Sequence, residues 1–260
     1  MPGLTPCADA ETTRKRLRPA LLAALALATV ALAGCATKGP LHIYALPAGG
    51  ERAIVDRGEI ATLTQDSFLG PADRVTGFAY DPFTDHFFLR LAPGNAIRVV
   101  DRPARKIKRE FEIAGADLGG HGGDLAVRPR DGHLFLIQPG RAELLQTSRL
   151  GKVIRTVSIA GAGSRFDGIA YDAVENHLLL LAEDRRRVTV HTPEGAFVRE
   201  LRLAEPVGPG LGFDAEQREF YAPLPAGGIA VFGTDGRRLR TLDLPGAFVD
   251  VGPRSFVRVF

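Results

Sequence analysis

A histidine in a glycine-rich loop is the residue of this chain best suited to ligand chemistry. His121 lies among four glycines in the segment 119–124, and Asp124 follows three residues later. Glycines let a ligand approach the backbone closely, and imidazole titrates near neutral pH. Arg165 and Asp167 occur at nearly the same position in the next repeat of the sequence. Either these four side chains bind a polar ligand or an acidic group of a partner, or the glycines fit a tight crossing and the charges pair with one another.

Recognisable catalytic motifs are missing from the sequence. It contains no Gly-x-Ser-x-Gly elbow, no His-Glu-x-x-His spacing and no glycine loop followed by Lys-Ser or Lys-Thr. These motifs would indicate an acyl-transfer nucleophile, a zinc site and a phosphate-binding loop, respectively. We therefore predict no catalytic residue, no metal and no cofactor, which favours a binding function over an enzymatic one.

The residues around Cys35 are suited to covalent attachment of a lipid. Four basic residues between positions 14 and 18 precede an apolar run over 21–33, and Leu32-Ala33-Gly34-Cys35 closes that run. This order resembles a bacterial lipoprotein export signal, in which a positive and then an apolar region precede small residues at the cleavage site. The resemblance implies that residues 1–34 are removed and that Cys35 receives a diacylglycerol. A plain signal peptide or a buried helix is the alternative.

The same resemblance implies a location in the cell envelope. Two or more acyl chains anchor a protein stably, so the mature chain would sit on a membrane without spanning it. In Gram-negative lipoproteins, Ala36 after the cysteine, in place of aspartate, favours transfer to the outer membrane. We expect residues 35–40 to form a lipidated tether and the following domain to face the periplasm.

Composition limits the redox chemistry and the partners. The only cysteines are Cys7 and Cys35, so the processed chain has no second cysteine for a disulfide-linked partner. The 33 basic and 30 acidic residues fall to 29 and 28 when residues 1–34 are removed. A net charge near +1 argues against nucleic acid or anionic lipid as the main partner. The remaining chain is long enough for one domain over residues 41–260 with a sizeable core.

Four copies of one sequence unit follow one another through the mature chain. The clearest copy begins at Phe166-Asp167-Gly168-Ile169-Ala170-Tyr171-Asp172 and continues with three further strand-like segments. The periods between copies are 47, 44 and 42 residues, measured at the aligned residues Tyr80, Val127, Tyr171 and Phe213. Such periods are typical of the four-stranded blades of a β-propeller.

The two ends of the chain supply parts of a fifth blade. Residues 248–253 and 256–260 match the first two strands of the unit, and residues 42–46 and 53–55 match the third and fourth. A blade built from both termini would close the ring and remove the exposed edges of an open sheet. The sequence therefore predicts an all-β propeller of five blades, with residues 57–75 as a long loop. Four or six blades remain open as alternatives.

The copies resemble NHL repeats and the six-bladed lactonase-like propellers. The resemblance lies in the segment 167–172, in the turn before Ile97-Arg98-Val99-Val100-Asp101 and in the Glu194-Gly195 turn. A lactonase of this superfamily would need a calcium site rich in oxygen ligands, whereas the chain has only two asparagines, both aligned away from the channel mouth. Three carboxylates should cap backbone amides where innermost strands end, at Asp81, Asp172 and Asp214.

These observations favour a lipid-anchored propeller that binds an envelope protein or another envelope component. The alternatives are a lactonase-like hydrolase or lyase, and a sensor that holds a small ligand at the channel mouth through His121 and Arg165.

Overall fold

Short apolar runs separated by turn residues fold into antiparallel strands in the computed structural model. The structure describes residues 41–46, 54–56, 68–94, 96–114, 123–161, 163, 165–244 and 246–253. Within them the chain forms 19 strands, which are β1 (Leu41–Leu46), β2 (Val55–Asp56), β3 (Arg74–Asp81), β4 (His86–Ala92), β5 (Ala96–Asp101), β6 (Lys106–Glu112), β7 (Leu125–Arg128), β8 (His133–Ile137), β9 (Glu143–Thr147), β10 (Val153–Ser158), β11 (Phe166–Asp172), β12 (His177–Ala182), β13 (Arg187–His191), β14 (Phe197–Arg202), β15 (Gly212–Asp214), β16 (Glu219–Pro223), β17 (Ile229–Gly233), β18 (Arg238–Leu242) and β19 (Phe248–Pro253).

Sixteen of these strands form four blades of four antiparallel strands each. The first blade is β3–β6, the second β7–β10, the third β11–β14 and the fourth β15–β18, each paired in sequence order. The outer strand of each blade is the most exposed of its four strands. In the first blade, β4 is buried at all seven positions and β6 is exposed at most of its positions. Each repeat of the sequence is therefore one blade, with its basic outer strand in contact with solvent.

The fifth, terminal blade joins the two ends of the domain. β19 pairs with β1 over six residues, from Leu41↔Pro253 to Leu46↔Phe248, and β1 pairs with β2. β19 contacts the innermost strands β15 and β3 on its two sides, and β3, β7, β11 and β15 follow one another around the same ring. The ring closes with five blades by pairing of strands from both ends of the domain, which confirms the prediction.

The strand order inside the terminal blade differs from the prediction. β1 lies directly beside β19, in the position of a second strand instead of a third. Both of its sides are covered, because Tyr44 packs against the first blade and Ala45 packs in the cluster shared with the fourth. A strand covered on both sides is suited to the place next to the innermost strand. Residues 256–260, predicted as the second strand, lie outside the described residues.

Side chains of neighbouring blades form the core together. The described residues contain five hydrophobic clusters, each located between two adjacent blades. Between the terminal and first blades, the ring of Tyr44 lies 4.6 Å from that of Tyr80 and 4.9 Å from that of Phe87, measured between centroids. Aromatic pairs at such distances stabilise the folded state by more than the burial of their surface alone. Each blade therefore depends on its two neighbours for burial of its faces.

Glycines allow the innermost strands to approach each other near the axis. A Cβ added to Gly77 would lie 2.8 Å from the carbonyl oxygen of Gly123 in the next blade. A Cβ added to Gly168 would lie 2.9 Å from the carbonyl carbon of Gly210. Neither distance leaves room for a side chain, so glycine is required at both places. We call the side of the ring where the innermost strands begin the upper face, and the side where they end the lower face.

Because β19 closes the ring, truncation of one of its buried side chains should lower the free energy of unfolding strongly. Val249 is 1% exposed and packs between the terminal and fourth blades, whereas Val198 is 43% exposed on an outer strand. Val249→Ala should lower the free energy of unfolding by about 1–3 kcal/mol, and Val198→Ala by less than about 0.5 kcal/mol. Urea unfolding followed by circular dichroism measures both, and equal losses would contradict closure through β19.

Candidate functional site

Asp124 lies at the centre of the ring, where three blades meet. It is 3% exposed. Its Oδ1 accepts hydrogen bonds from the backbone N–H groups of Phe78, at 3.1 Å, and Leu125, at 3.0 Å. Its Oδ2 accepts a hydrogen bond from the N–H of Ile169 at 3.1 Å. Since these residues belong to β3, β7 and β11, one side chain joins the innermost strands of the first, second and third blades.

Asp250 makes a similar connection between the terminal and first blades. Its Oδ2 accepts a hydrogen bond from the N–H of Tyr80 at 2.7 Å, and its Oδ1 from the N–H of Val251 at 2.8 Å. Tyr80 is two residues beyond Phe78 on β3, so both N–H groups point to the same edge of that strand. The two carboxyl groups therefore supply acceptors along the edge of β3 that faces the axis.

A buried arginine accompanies Asp124. Arg90 in β4 is 1% exposed, and its Nη1 donates to the carbonyl oxygens of Gly123, at 2.7 Å, and Ile137, at 2.8 Å. In the part of the chain that the structure describes, its Nη2 has no hydrogen-bond partner. Burial lowers the pKa of Arg90 to about 10, and the charge of Asp124 acts in the opposite direction. Arg90 thus connects the second strand of the first blade to both ends of the β7–β8 hairpin.

Removal from water raises the pKa of both central carboxyl groups, those of Asp124 and Asp250. Burial raises the pKa of Asp124 to about 7, although its three N–H donors favour the charged form and lower it. Burial likewise raises the pKa of Asp250 to about 7. A carboxyl that titrates near neutral pH is a common feature of acid–base sites. Here both oxygens of each group accept hydrogen bonds from backbone N–H groups, so the arrangement holds innermost strands together.

The structure places Arg165 and Asp167 in ion pairs of the third blade. The Arg185 Nε donates to Asp167 Oδ2 at 2.6 Å, and the Arg165 Nε lies 3.8 Å from Glu183 Oε2. Asp124 instead contacts the third blade through the N–H of Ile169. By these contacts Arg165 and Asp167 pair with Glu183 and Arg185, which are not among the four predicted site residues. His121 lies outside the described residues, so a ligand site that uses it stays a prediction.

Carboxylates at the lower ends of three innermost strands cap the following turns, as the sequence predicts. Asp81 accepts a hydrogen bond from the N–H of Phe83, and Asp172 and Asp214 each accept hydrogen bonds from two N–H groups. Asp81 also accepts a hydrogen bond from Arg149 of the second blade at 3.0 Å. A side-chain cap that also pairs with the adjacent blade fixes the turn and the spacing between blades.

Two further features bear on cofactors and membranes. No group of three or more His, Cys, Asp or Glu side chains within the described ranges is arranged to hold a metal ion. Over the same ranges, no helix is long and apolar enough to cross a bilayer. Cys35 and the residues of the expected export signal lie outside them, so lipid attachment stays a prediction.

Sequence reasoning missed Arg90 and Asp250. Arg90 is the single charge within the buried run Phe87-Phe88-Leu89-Arg90-Leu91, and a charge inside such a run is a signal of a buried polar contact. Asp250 lies between Val249 and Val251 in a segment recognised only as an innermost strand. Its alternation with valines resembles an ordinary half-exposed strand, so the sequence offers no comparable signal there.

Comparison with known proteins bears on the fold. No protein-family model matches the chain, and no curated protein matches its sequence. A chain in the crystal structure of a nidogen/laminin complex has a TM-score of 0.56 at 14% identity, over 81% of this chain and 98% of that one. The protein described here is therefore a β-propeller. A protein of unknown function from Bacteroides caccae is also similar, with a TM-score of 0.51 at 13% identity, over 78% and 73% of the two chains.

Removal of the central carboxyl group should destabilise the ring. Asp124→Ala leaves three buried N–H groups without their acceptor, so we expect the free energy of unfolding to fall by about 2 kcal/mol or more. Asp167→Ala is the matched control, because it breaks only the partly exposed pair with Arg185 and should cost less than about 1 kcal/mol. Chemical unfolding measures both variants. An equal or smaller loss for Asp124→Ala would contradict its role at the axis.

The raised pKa of Asp124 predicts the direction of a pH effect. The folded carboxyl keeps its proton up to about pH 7, whereas the unfolded one loses it near pH 4. The folded state therefore binds more protons over this range, and the contribution to stability is lost as pH rises through 7. The gap in unfolding free energy between wild type and Asp124→Ala should be larger at pH 5 than at pH 8, by roughly 1–3 kcal/mol. A gap that is constant or grows with pH would contradict the assignment.

Proposed function

We propose that this protein is a lipid-anchored β-propeller that acts as a binding or scaffold module for an envelope protein or component. The proposal rests on the hydrogen bonds that the central polar side chains make to backbone groups. Asp124 and Asp250 direct both carboxyl oxygens to backbone N–H groups, and Arg90 directs Nη1 to two carbonyl oxygens. These contacts give the axis a structural role, so a partner is better accommodated by the faces of the ring.

The upper face is suited to a polar partner. The exposed pairs Arg165–Glu183 and Arg185–Asp167 lie where the third blade begins and where its second strand turns into its third. Exposed ion pairs contribute little to folding stability, so a partner can exchange them for its own charged groups at small cost. Polar residues around a less polar centre are typical of protein–protein interfaces. We therefore place the partner site on the upper face of the third blade.

Lipid attachment rests on the sequence of the export signal, since Leu32-Ala33-Gly34-Cys35 follows a basic and then an apolar segment. An acylated Cys35 followed by Ala36 would hold the propeller at the outer membrane, on its periplasmic side. One similar chain of known structure comes from a nidogen/laminin complex, which is an assembly of proteins. At 14% identity this likeness is compatible with a binding role without identifying a partner.

A cross-linking experiment tests the binding role. The full chain would be expressed with a photoreactive amino acid at Arg165 on the upper face or, as a control, at the exposed Thr156 on an outer strand. We expect one reproducible envelope protein in the adduct from position 165 and none from position 156. Absence of any adduct in membranes that hold folded protein would contradict the proposal. Turnover of a lactone or ester that is lost in His121→Ala would also contradict it, in favour of an enzyme.

Lipid attachment has its own measurement. Mass spectrometry of protein purified from membranes should find an amino-terminal peptide that begins at Cys35 and carries acyl chains. Cys35→Ser should leave the protein unprocessed or release it from membranes, because the thiol that receives the lipid is missing. An unmodified Cys35 in protein that remains attached to membranes would contradict the anchor.

A further inference from the structure

The lower face carries the most exposed large hydrophobic side chains that the structure describes. Phe83 is 71% exposed, Leu150 is 68% exposed and Val174 is 64% exposed. Phe83 and Val174 lie in the turns that join the innermost to the second strand of the first and third blades. Because the innermost strands end there, both turns belong to the lower face. Exposed apolar residues grouped on one side of a soluble domain mark an interaction surface.

Leu150 belongs to the same surface, although it lies in the turn between the third and outer strands of the second blade. Its neighbour Arg149 donates to Asp81 at 3.0 Å, and the guanidinium carbon lies 5.8 Å from the centroid of the Phe83 ring. A Cβ added to Gly132, in the lower turn of the second blade, would also meet the Arg149 guanidinium. Arg149 therefore places Leu150 beside the lower turns of the first and second blades.

The first described strand also begins at the lower face. Leu41 pairs with Pro253, the last residue of the innermost strand β19. A Cβ added to Gly252 would lie 2.9 Å from the ring of Tyr80 and 3.7 Å from Cβ of Pro82, which precedes Phe83. The chain therefore enters the domain next to the turn that carries the most exposed phenylalanine.

The length of chain before Leu41 limits the distance to the expected lipid. Cys35 is six residues before Leu41. A fully extended chain of that length spans about 20 Å. The lipid at Cys35, if it is attached as proposed, would thus lie within about 20 Å of the lower face. A tether of that length would keep the lower face near the bilayer surface.

We propose that the lower face, formed by Phe83, Leu150, Val174 and the start of β1, docks on the bilayer that holds the lipid of Cys35. This inference rests on the proposed function, because the lipid brings the face to the membrane. Apolar side chains in turns can enter the interfacial region without carrying strands into the hydrocarbon. The exposed Arg130 and Lys152, in turns of the second blade, supply cations for anionic headgroups. The upper face is then directed away from the membrane, toward its partner.

The absence of tryptophan from the chain permits a clean test of this orientation. Single-tryptophan variants of the full lipidated protein, Phe83→Trp, Leu150→Trp and Val174→Trp, would be reconstituted into vesicles of phosphatidylethanolamine and phosphatidylglycerol with brominated acyl chains. Ala226→Trp is the matched control, because Ala226 is exposed in the turn between β16 and β17 on the upper face. Mass spectrometry of the same samples reports the state of Cys35.

We expect brominated lipid to lower tryptophan emission roughly twofold at the three lower-face positions and to leave position 226 unchanged. Equal quenching at all four positions, or none at any of them, in protein with acylated Cys35 would overturn the docking proposal while leaving the anchor intact. Shielded but unquenched lower-face tryptophans in a cross-linked dimer would also overturn it, since a second copy would then cover the face.

The anchor and the docking face can fail separately. If Cys35 is unmodified, the proposed lipid anchor fails, and the same protein is mixed with preformed brominated vesicles. Selective quenching at positions 83, 150 and 174 would then still support docking through the lower face. Absence of quenching at those positions would overturn both proposals.

Discussion

The hydrogen-bonding needs of the innermost strands govern this structure. Each innermost strand uses one edge to pair with its own blade, which leaves N–H groups on the edge that faces the axis. A buried N–H group without an acceptor costs free energy comparable to a lost hydrogen bond. Asp124 and Asp250 supply acceptors for the N–H groups of Phe78, Tyr80 and Ile169 on the innermost strands of adjacent blades. Five blades can converge closely because glycines leave space and carboxyl groups satisfy the exposed edges.

The repeat architecture could be predicted from the sequence because its signals are local and periodic. Each blade repeats an apolar strand, a turn and a basic outer strand within about 40–50 residues, so four blades and their order follow from alignment alone. Ring closure could be predicted because the ends of the chain complement each other. The place of β1 beside β19 was mispredicted, since a short strand with apolar residues on both sides matches an inner or a third strand equally well.

The role of the central polar residues could be predicted only in part. Asp124 could be selected from the sequence because it follows the glycine loop. An aspartate there is compatible both with a ligand site and with an acceptor for strand N–H groups. The difference depends on contacts with Phe78 and Ile169, which are 46 and 45 residues away in the chain. Arg165 pairs with Glu183, and Asp167 pairs with Arg185. Both partners lie in the turn between β12 and β13 of the same blade. Capping by Asp81, Asp172 and Asp214 was predictable because it involves residues two or three positions away.

A ring held from its centre leaves its two faces free for different tasks, with the lower face bearing exposed apolar turns and the upper face exposed ion pairs. The central claim is that the carboxyl groups of Asp124 and Asp250 at the axis make the innermost strands the most stable part of the ring. Hydrogen exchange of the full protein, resolved by peptide, tests it most directly. The account predicts that peptides from β3, β7 and β11 exchange more slowly than those from the outer strands β6, β10 and β14. Faster or equal exchange of the innermost strands would contradict it, because the carboxyl groups at the axis would then not make those strands the most stable part of the ring.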